Sequence, residues 1–379
     1  MATRTSSVPK SGPLTDGALS DRIWNFSAGP AVLPEPVLRQ AQEDLWNTRG
    51  SGVGIAEHSH RGKVYETINA EAEVRCRELA GIPGNYKVLF LQGGASLQFA
   101  MVPMNLLPPG RVADYIVTGI WAQKAIKEAR QVGQVHSAFD GAAEQYRRIP
   151  SADQLAFSPD PAYVHLTTNN TIYGTQWRSE PPVPATAPLV ADTSSDMFSR
   201  PIDVSKYGLI YAGAQKNLGP SGIVLVIVRE DLIERAPSTL PNILQYRVHA
   251  KEKSLFNTPN TFGVYLMGEV FRWLQAEGGL DGMARRNAEK ARLVYDVIDS
   301  TDFWRGTADA GSRSLMNVCF RAPSEELEAR FCAEATQAGL DGLKGHRSAG
   351  GMRASIYNAC PRAAVEALVQ FMKEFERRA

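Results

Sequence analysis

The sequence is short of net charge, of cysteine and of long apolar runs, and each shortage excludes a class of protein. Its 41 Lys and Arg residues nearly balance 40 Asp and Glu residues, which leaves a formal net charge of +1. A chain without a global field of one sign is not expected to bind nucleic acid or an anionic membrane surface. Any anion that this protein binds must therefore be held by cations placed locally.

The four cysteines are far apart in the chain and form neither a C-x-x-C pair nor a zinc-finger spacing. In a chain of 379 residues this is typical of reduced thiols in a cytoplasmic protein, and it predicts neither a disulfide framework nor a metal site. No run approaches the roughly 18 apolar residues of a transmembrane helix. Residues 1–20 are rich in Ser, Thr, Gly and Pro and lack the apolar core of a signal peptide, so we expect a disordered tail there.

Several familiar motifs of enzyme chemistry are also missing. The sequence has no G-x-x-x-x-G-K-[ST] loop, no G-x-G-x-x-G after a predicted strand, no H-E-x-x-H and no G-x-S-x-G. These absences argue against P-loop nucleotide hydrolysis, Rossmann-type hydride transfer, zinc-peptidase chemistry and α/β-hydrolase chemistry. A Gly-rich turn at the end of a strand therefore needs another explanation.

From Tyr86 onward, short apolar runs alternate with amphipathic stretches. Helices are predicted from about Gly94 to Leu107 and over Trp121–Val132. The alternation favours an α/β domain with a mostly parallel sheet covered by helices on both faces. The predicted strands are Tyr86–Leu91, Val112–Thr118, Tyr163–Thr167, Leu189–Asp192, Leu209–Ala212 and Gly222–Val228.

The last third of the chain predicts a second, smaller α+β domain. Two long helical patterns meet near Glu277–Asp281, where Gly278 and Gly279 interrupt them. We therefore predict a large domain over residues 35–280 and a small domain formed by residues 21–34 and 281–379. The predicted elements here are helices Thr261–Gln275 and Asp281–Ser300, strand Leu315–Arg321, helix Glu325–Ala338, strand Met352–Tyr357 and helix Pro361–Arg378.

Lys216 is the first candidate for chemistry. It follows one predicted strand and precedes a Gly-Pro-Ser-Gly turn that leads into the next, in the segment LIYAGAQKNLGPSGIVLVIV. Most single lysines in such loops are solvated surface residues. Here, small residues on both sides leave room for a flat ligand, and a desolvated lysine can lose its proton and attack a carbonyl. Lys216 is thus a candidate to bind pyridoxal 5′-phosphate (PLP) covalently.

Asp192 ends the apolar run APLVAD, one predicted strand before Lys216. Taken alone, an Asp in this position is more often a helix cap or the start of a loop. PLP, however, needs a carboxylate opposite its pyridinium nitrogen, so that the ring stays protonated and withdraws electrons from the substrate α-carbon. The order Asp192 and then Lys216, on successive strands, indicates a PLP site more specifically than either residue does alone.

The turn Gly93-Gly94-Ala95-Ser96 opens a helix directly after the first of these strands. Small residues there let backbone N–H groups and the helix N-terminus face an anion, and the Ser96 hydroxyl can add a hydrogen bond. A plain tight turn explains this segment equally well. Trp121 begins the next helix and is either a core residue or a flat surface for a cofactor ring.

Two basic clusters remain, one around His60-Arg61 and one around His346-Arg347, with Arg353 shortly after the second. A single Arg is usually a solvated surface residue. Two His-Arg dipeptides next to Gly, with a third Arg leading an apolar strand, indicate an anion pocket instead, because the guanidinium fork matches carboxylate and phosphate oxygens. In a nearly neutral chain this pattern suits a small, doubly anionic substrate.

Nine segments of the chain resemble the phosphoserine aminotransferase family, in class V of the fold-type I PLP enzymes. They follow one another from Asn25 almost to the C-terminus, so the resemblance depends on no single motif. It implies an aspartate-aminotransferase-like fold. The segments are NFSAGPAVLP (Asn25–Pro34), SHRGK (Ser59–Lys63), FLQGGASLQFAMVPMNLL (Phe90–Leu107), TGIWAQKAIKEA (Thr118–Ala129), TTNNTIYGTQW (Thr167–Trp177), VADTSSDMFSRPID (Val190–Asp203), GAQKNLGPSG (Gly213–Gly222), LFNTPNTF (Leu255–Phe262) and LKGHRSAGGMRASIYNA (Leu343–Ala359).

The resemblance implies a role for each cofactor-binding residue. Lys216 would bind PLP through a Schiff base, and Asp192 would face the pyridinium nitrogen. Trp121 would stack on the ring, and Thr171 would reach its phenolic oxygen. The cofactor phosphate would be held by Ala95, Ser96 and Gln215 within the chain and by Asn257 and Thr258 of a neighbouring subunit, which implies a homodimer with shared active sites.

For the substrates, the resemblance implies that Arg353 binds the α-carboxylate. The distal phosphate of phosphoserine, or the γ-carboxylate of glutamate, would be bound by His60, Arg61, His346 and Arg347, some of them from across the dimer. One departure is visible, because some members of the family carry an arginine where this sequence has Ser96. Its absence removes one cation near the substrate phosphate, which bears on affinity and not on the type of reaction.

The implied activity is a two-stage transamination in serine biosynthesis. Glutamate displaces Lys216 from PLP, the freed lysine moves a proton from Cα to the cofactor's C4′, and 2-oxoglutarate leaves. 3-Phosphohydroxypyruvate then runs the steps in reverse and leaves as phosphoserine.

Three alternatives stay open. Members of the family can also aminate the phosphohydroxy-threonine precursor of pyridoxine biosynthesis. Cysteine desulfuration needs a nucleophilic cysteine on a mobile loop, whereas Cys360 is expected to pack as a small hydrophobe. A PLP-binding regulator without turnover is disfavoured, because Lys216, Asp192 and the substrate cations are all retained.

Overall fold

The computed structural model describes residues 22–379. The predicted tail, residues 1–20, lies outside the described residues, as does residue 21. The strands, numbered β1 to β14 in chain order, are Trp24–Asn25, Tyr86–Leu91, Val112–Val117, Gln134–Asp140, Val164–Thr167, Asn169–Asn170, Thr175–Gln176, Leu189–Asp192, Leu209–Gly213, Val224–Arg229, Arg305–Gly306, Asn317–Arg321, Leu340–Asp341 and Met352–Ser355. The helices, α1 to α10, are Glu35–Trp46, Lys63–Ala80, Gly94–Leu106, Ile120–Ala129, Glu230–Ile233, Tyr246–Lys251, Thr261–Ala276, Gly279–Asp299, Glu325–Gln337 and Arg362–Arg378.

Seven strands form the main sheet, in the order β2-β10-β9-β8-β5-β3-β4. The five strands from β9 to β4 pair in parallel, whereas β10 runs antiparallel to both of its neighbours. Alternate residues of β2 enter different cores. Val88 and Phe90 pack in a cluster with residues of α2 and α7, and Leu89 and Leu91 pack in a cluster with residues of α3 and α4. The sheet is thus covered on both faces, and the predicted α/β fold is confirmed.

All six strands predicted for this sheet are present, with ends that agree within two residues. The seventh, β4, was not predicted, and neither were helices α1 and α2. Strand β4 lies at the edge of the sheet, and Ala138 is its one buried residue, so it carries no apolar run. The antiparallel direction of β10 was also not predicted, because an apolar run reads the same in either direction.

A second sheet has the order β11-β12-β14 and is antiparallel throughout. Its core combines Val318 of β12 and Ala354 of β14 with residues of α8, α9 and α10. Phe26 belongs to the same core, and β1 pairs with β13. This shared core supports the prediction that residues 21–34 join residues 281–379, although the division into domains stays a prediction.

A buried polar seam connects the two sheets. Asn169, after β5, donates through Nδ2 to Asn317 Oδ1 at 2.8 Å. Asn358, after β14, donates its backbone N–H to Asn217 Oδ1 at 3.0 Å, next to Lys216. All four of these asparagines are buried. Because a buried amide that loses its partner costs free energy, these bonds fix the second sheet against the site.

Helix length and hydropathy complete the description of the fold. None of the helices among residues 22–379 is both long and apolar enough to cross a bilayer.

Candidate active site

A cavity of about 510 Å³ lies at the carboxyl ends of neighbouring strands of the main sheet. Thr167 ends β5 and Asp192 ends β8, while Lys216 comes three residues after the end of β9. Because β5, β8 and β9 are adjacent and parallel, their carboxyl ends meet at one edge of the sheet. All three residues line the cavity. The topology therefore brings the predicted Asp and Lys to one site.

Lys216 is held where its amine is poorly solvated. Burial lowers the pKa of Lys216 to about 8, the charge of Asp192 opposes this fall and the charge of Arg353 adds to it. The Lys216 Nζ lies 5.6 Å from the centroid of the Trp121 ring. A lysine with a pKa of about 8 is about one-tenth neutral at pH 7, whereas a solvated lysine is almost wholly protonated. Lys216 can therefore act as a nucleophile near neutral pH.

Asp192 is buried and held by its neighbour Ser194. One carboxylate oxygen, Oδ1, accepts hydrogen bonds from Ser194 N at 3.0 Å and from Ser194 Oγ at 2.6 Å. Burial raises the pKa of Asp192, and the bonds from Ser194 and the charge of Lys216 oppose that rise. The second oxygen, Oδ2, takes no part in these bonds, so it can bind a cationic group in the cavity.

The segment Gly93–Ser96 forms an anion cup at the start of α3. Gly93 and Gly94 have φ angles of +82° and +60°, which side-chain-bearing residues rarely adopt. The turn leaves the N-terminus of the 13-residue helix facing the cavity, where its free N–H groups favour an anion. A Cβ added at Gly213 would lie 2.8 Å from Gln215 Oε1 and 3.5 Å from Ala95 N. The Gln215 side chain therefore lies close to the cup.

Trp121 and Arg353 both form hydrogen bonds with Thr171. Trp121 Nε1 donates to Thr171 Oγ1 at 2.9 Å, and Arg353 Nη1 donates to Thr171 O at 3.1 Å. The Arg353 Nε is buried and has no hydrogen-bond partner among the described residues. An orphaned guanidinium N–H beside a cavity is a ready donor for a bound carboxylate.

The two His-Arg dipeptides share no hydrogen bond with each other among residues 22–379. Burial lowers the pKa of His346, and the charges of Arg353, Arg347 and Lys124 lower it further, so His346 shares the electrostatic field of the cavity. His60 is half-buried and Arg61 is exposed before α2, and neither has a hydrogen bond or ion pair to a cavity-lining residue of the described chain.

Asn257 and Thr258 lie behind the anion cup and do not line the cavity. Asn257 Nδ2 donates to Gln92 Oε1 at 3.1 Å, and Gln92 Nε2 donates to Thr258 O at 2.9 Å. Thr258 is exposed and Asn257 is half-buried. Both residues are thus accessible to another molecule beside the cup.

Five polar residues that line the cavity were not singled out from the sequence: Thr167, Asn169, Ser194, Ser195 and Ser221. Ser194 orients Asp192, and the Asp-x-Ser spacing, in which a carboxylate accepts from the backbone two residues on, was the available signal. Thr167 lines the cavity with a buried hydroxyl that has no partner among the described residues. Nothing in a strand-ending threonine distinguishes it from a core threonine.

Cys360 has the surroundings of a structural thiol. It is buried in the core of the second sheet, and burial raises its pKa to about 11. A thiol that stays protonated at neutral pH is a poor nucleophile. Its position gives no support to cysteine desulfuration.

The donor set of the cavity fits pyridoxal 5′-phosphate. The anion cup suits its phosphate, the free Asp192 Oδ2 suits its protonated ring nitrogen, and the partly neutral amine of Lys216 suits its aldehyde. Trp121 supplies an aromatic wall beside the lysine. The orphaned Thr167 hydroxyl adds a further hydrogen-bonding group to the same cavity.

Comparison with known proteins agrees with this geometry. The sequence model of the family "Aminotransferase class-V" matches residues 23–368. A phosphoserine aminotransferase of Herpetosiphon aurantiacus is 56% identical over 354 residues, which cover 93% of this chain and 98% of the relative.

Solved structures are similar over the same length. The phosphoserine aminotransferase from Bacillus circulans subsp. alkalophilus has a TM-score of 0.93 at 51% identity, covering 95% of this chain and 99% of that one. A PLP-bound phosphoserine aminotransferase from Trichomonas vaginalis has a TM-score of 0.89 at 40% identity, covering 93% and 100%.

Proposed function

Because the chain belongs to the class-V aminotransferases, and within them to the phosphoserine aminotransferases, we infer that it moves the amino group of glutamate to 3-phosphohydroxypyruvate. It is a PLP-dependent transaminase of serine biosynthesis. The observation that carries this function is the pairing of Lys216 and Asp192 across one cavity at the ends of adjacent parallel strands. We propose the following roles for the residues around them.

Lys216 has two tasks. When bound, the cofactor supplies an aldehyde carbon that takes up the amino group and a protonated ring that withdraws electrons from the substrate Cα. The Lys216 Nζ would bind that aldehyde covalently, and the substrate amine would then take its place. The freed amine then removes the proton from the substrate Cα as a general base, a task for which a pKa of about 8 suits it near neutral pH.

Asp192 and Trp121 hold the ring in place. The Asp192 carboxylate keeps the ring nitrogen protonated, and the two bonds from Ser194 prevent it from turning away. Trp121 would stack on the ring, and its own position is set by the bond to Thr171. Thr171 would also bind the phenolic oxygen of the cofactor. The backbone of Ala95, with Ser96 and Gln215, binds the phosphate through the anion cup.

We propose that the active enzyme is a homodimer with shared sites. Within the described part of the chain, His60 and Arg61 make no hydrogen bond or ion pair with a cavity-lining residue, and Asn257 and Thr258 do not line the cavity although they contact Gln92 next to the cup. A second copy is the simplest molecule that brings these four residues to a cavity. His60 and Arg61 would then join His346 and Arg347 around the distal anion, while Asn257 and Thr258 would complete the partner's cofactor-phosphate site.

Cytoplasmic location is also a proposal. The four cysteines are free, and three of them are buried. Free thiols in this number are typical of a reducing compartment. Amination of the phosphohydroxy-threonine precursor stays a second prediction for the same site, because that substrate presents the same two anionic ends.

The visible absorbance of the purified holoenzyme tests the function directly. Glutamate alone is expected to shift the spectrum from the aldehyde form of the cofactor to the amine form, and 3-phosphohydroxypyruvate is expected to reverse the shift. Aspartate and alanine at the same concentration serve as controls for the need for a γ-carboxylate. A spectrum that does not respond to glutamate would remove the transaminase assignment.

Replacement of Arg353 by glutamine is expected to weaken the binding of every substrate. Both substrate pairs carry an α-carboxylate, so loss of the guanidinium raises KM for glutamate and for 3-phosphohydroxypyruvate by a similar factor, about 10- to 100-fold. The matched control is Arg313→Gln, because Arg313 pairs with Asp299 outside the cavity. A KM increase confined to one substrate would contradict this role for Arg353.

A further inference from the structure

Lys124 is a cation without an acidic partner beside the cavity. It lies on α4 three residues after Trp121, a spacing that places both side chains on one helix face. Its Nζ is 4.5 Å from the centroid of the Trp121 ring. Lys124 is exposed, and among the ion pairs of residues 22–379 none includes it. The ammonium group therefore stays available at the rim of the site.

The surroundings of Lys124 are strongly cationic. Its charge, with those of Arg347 and Arg353, acts on His346 and lowers the pKa of that histidine. Among the described residues that line the cavity, Asp192 is the one acid, and it faces the cofactor ring in the proposed arrangement. Lys124, Arg347 and Arg353 thus form a cationic cluster around His346, and within residues 22–379 none of the three has an ion pair with a carboxylate. Such a field attracts an anion with more than one negative charge.

We propose that Lys124 is a specificity residue that binds the distal phosphate of the phosphorylated substrate and favours it over the γ-carboxylate of glutamate. This proposal rests on the proposed function. A lysine carries a point charge with three rotatable donors on a flexible stem, so it can follow a phosphate dianion without the fixed geometry of a guanidinium fork. The Coulomb attraction to a dianion is about twice that to a monoanion at equal distance.

Lys124 also explains how one pocket serves two substrates. Glutamate requires cations that accept a planar monoanion, a task that Arg347 and its partner-derived counterparts can perform. Phosphate carries one more negative charge and one more oxygen. A mobile ammonium at the rim supplies the additional positive charge when phosphate is present and swings into solvent when it is not. Ser96, which lines the cavity with a neutral hydroxyl, adds no cation of its own.

The test compares three variants of the holoenzyme: Lys124→Gln, Lys124→Arg and Lys127→Gln. Lys127 lies on the same helix, is exposed, and makes no contact of this kind with Trp121, so it controls for the loss of one surface charge. Each half-reaction is followed separately by visible absorbance, with glutamate in one and phosphoserine in the other. Inhibition of the glutamate half-reaction by inorganic phosphate supplies a second measurement.

Lys124→Gln is expected to lower kcat/KM for phosphoserine about 10- to 100-fold and that for glutamate less than about 3-fold. The inhibition constant of inorganic phosphate should rise in parallel, Lys124→Arg should restore most of both, and Lys127→Gln should change neither. An equal loss with both substrates would mean that Lys124 only supports Trp121, and no loss would mean that it is a surface residue; either result overturns the proposal. If the wild-type enzyme itself fails to respond to glutamate, the proposed function fails instead.

Discussion

Replacement of Lys216 by alanine is expected to lower transamination at least about a thousand-fold, because it removes both the nucleophile and the general base of the reaction. The variant keeps Asp192, the anion cup and Trp121, so it should still bind PLP without a covalent bond. Its visible spectrum should resemble that of free PLP, and dialysis should remove the cofactor. The measurements are turnover with glutamate and 3-phosphohydroxypyruvate, and the absorbance before and after dialysis.

A second buried lysine, Lys290, serves as an internal control for the site of cofactor attachment. Burial lowers the pKa of Lys290 to about 8, as it does for Lys216. Lys290, however, donates to the backbone oxygens of Ile356, Tyr357 and Cys360, at 2.7 to 3.0 Å. Its amine therefore already makes three hydrogen bonds, and Lys290 lies outside the cavity. Borohydride reduction of the wild-type holoenzyme, followed by peptide mapping, should place the cofactor on Lys216 alone; a label on Lys290, or turnover retained in Lys216→Ala, would refute the assignment.

Replacement of Asp192 by asparagine is expected to lower kcat about a hundred- to a thousand-fold, with the fold intact. Asparagine has the same shape, and its Oδ1 can still accept the two bonds from Ser194. The amide carries no charge, so it cannot keep the cofactor ring nitrogen protonated, and the ring withdraws fewer electrons from the substrate Cα. Steady-state kcat and the pH dependence of the cofactor absorbance measure the effect.

Asp196 provides the matched control for this variant. It is also buried, and burial raises its pKa as it does that of Asp192. Its carboxylate accepts hydrogen bonds from Thr168 and Gln176 and does not line the cavity. In Asp196→Asn the amide oxygen can still accept from Thr168, but the amide nitrogen cannot accept from Gln176, so thermal stability should fall. We expect kcat to stay within about fivefold, because residue 196 does not line the cavity. Equal losses of kcat in both variants would show that Asp192 acts through the fold and not through the cofactor.

The contrast between Arg353 and Lys124 separates two parts of substrate recognition. Arg353 donates to the backbone oxygen of Thr171, which lines the cavity, and is proposed to bind the carboxylate that every substrate carries. Lys124 stands at the rim over Trp121 and is proposed to act on one substrate only. Arg353 contacts Thr171 and Lys124 contacts Trp121, so their variants should affect the two half-reactions differently.

Local pattern was enough to predict the strands that carry the site. Buried parallel strands are continuous apolar runs, and the runs ending near Leu91 and Asp192 stand out from any neighbouring segment. Strand β4 was missed because a strand at the sheet edge needs few apolar residues. The small turn residues at Gly93 and Gly94 were informative for the same local reason, since a positive φ restricts the choice of side chain.

The sequence by itself determined the α/β class, the order of Asp192 and Lys216 on successive strands, and the family resemblance that named the remaining site residues. Only the tertiary structure decided that Thr167, Asp192 and Lys216 open into one cavity, that Ser194 orients Asp192, and that Lys124 stands over Trp121. The physical reason is the distance along the chain over which each interaction acts. Turn chemistry and apolar periodicity act between near neighbours in the chain, whereas desolvation of Lys216 and the field at His346 arise from elements that meet only when the sheet has formed.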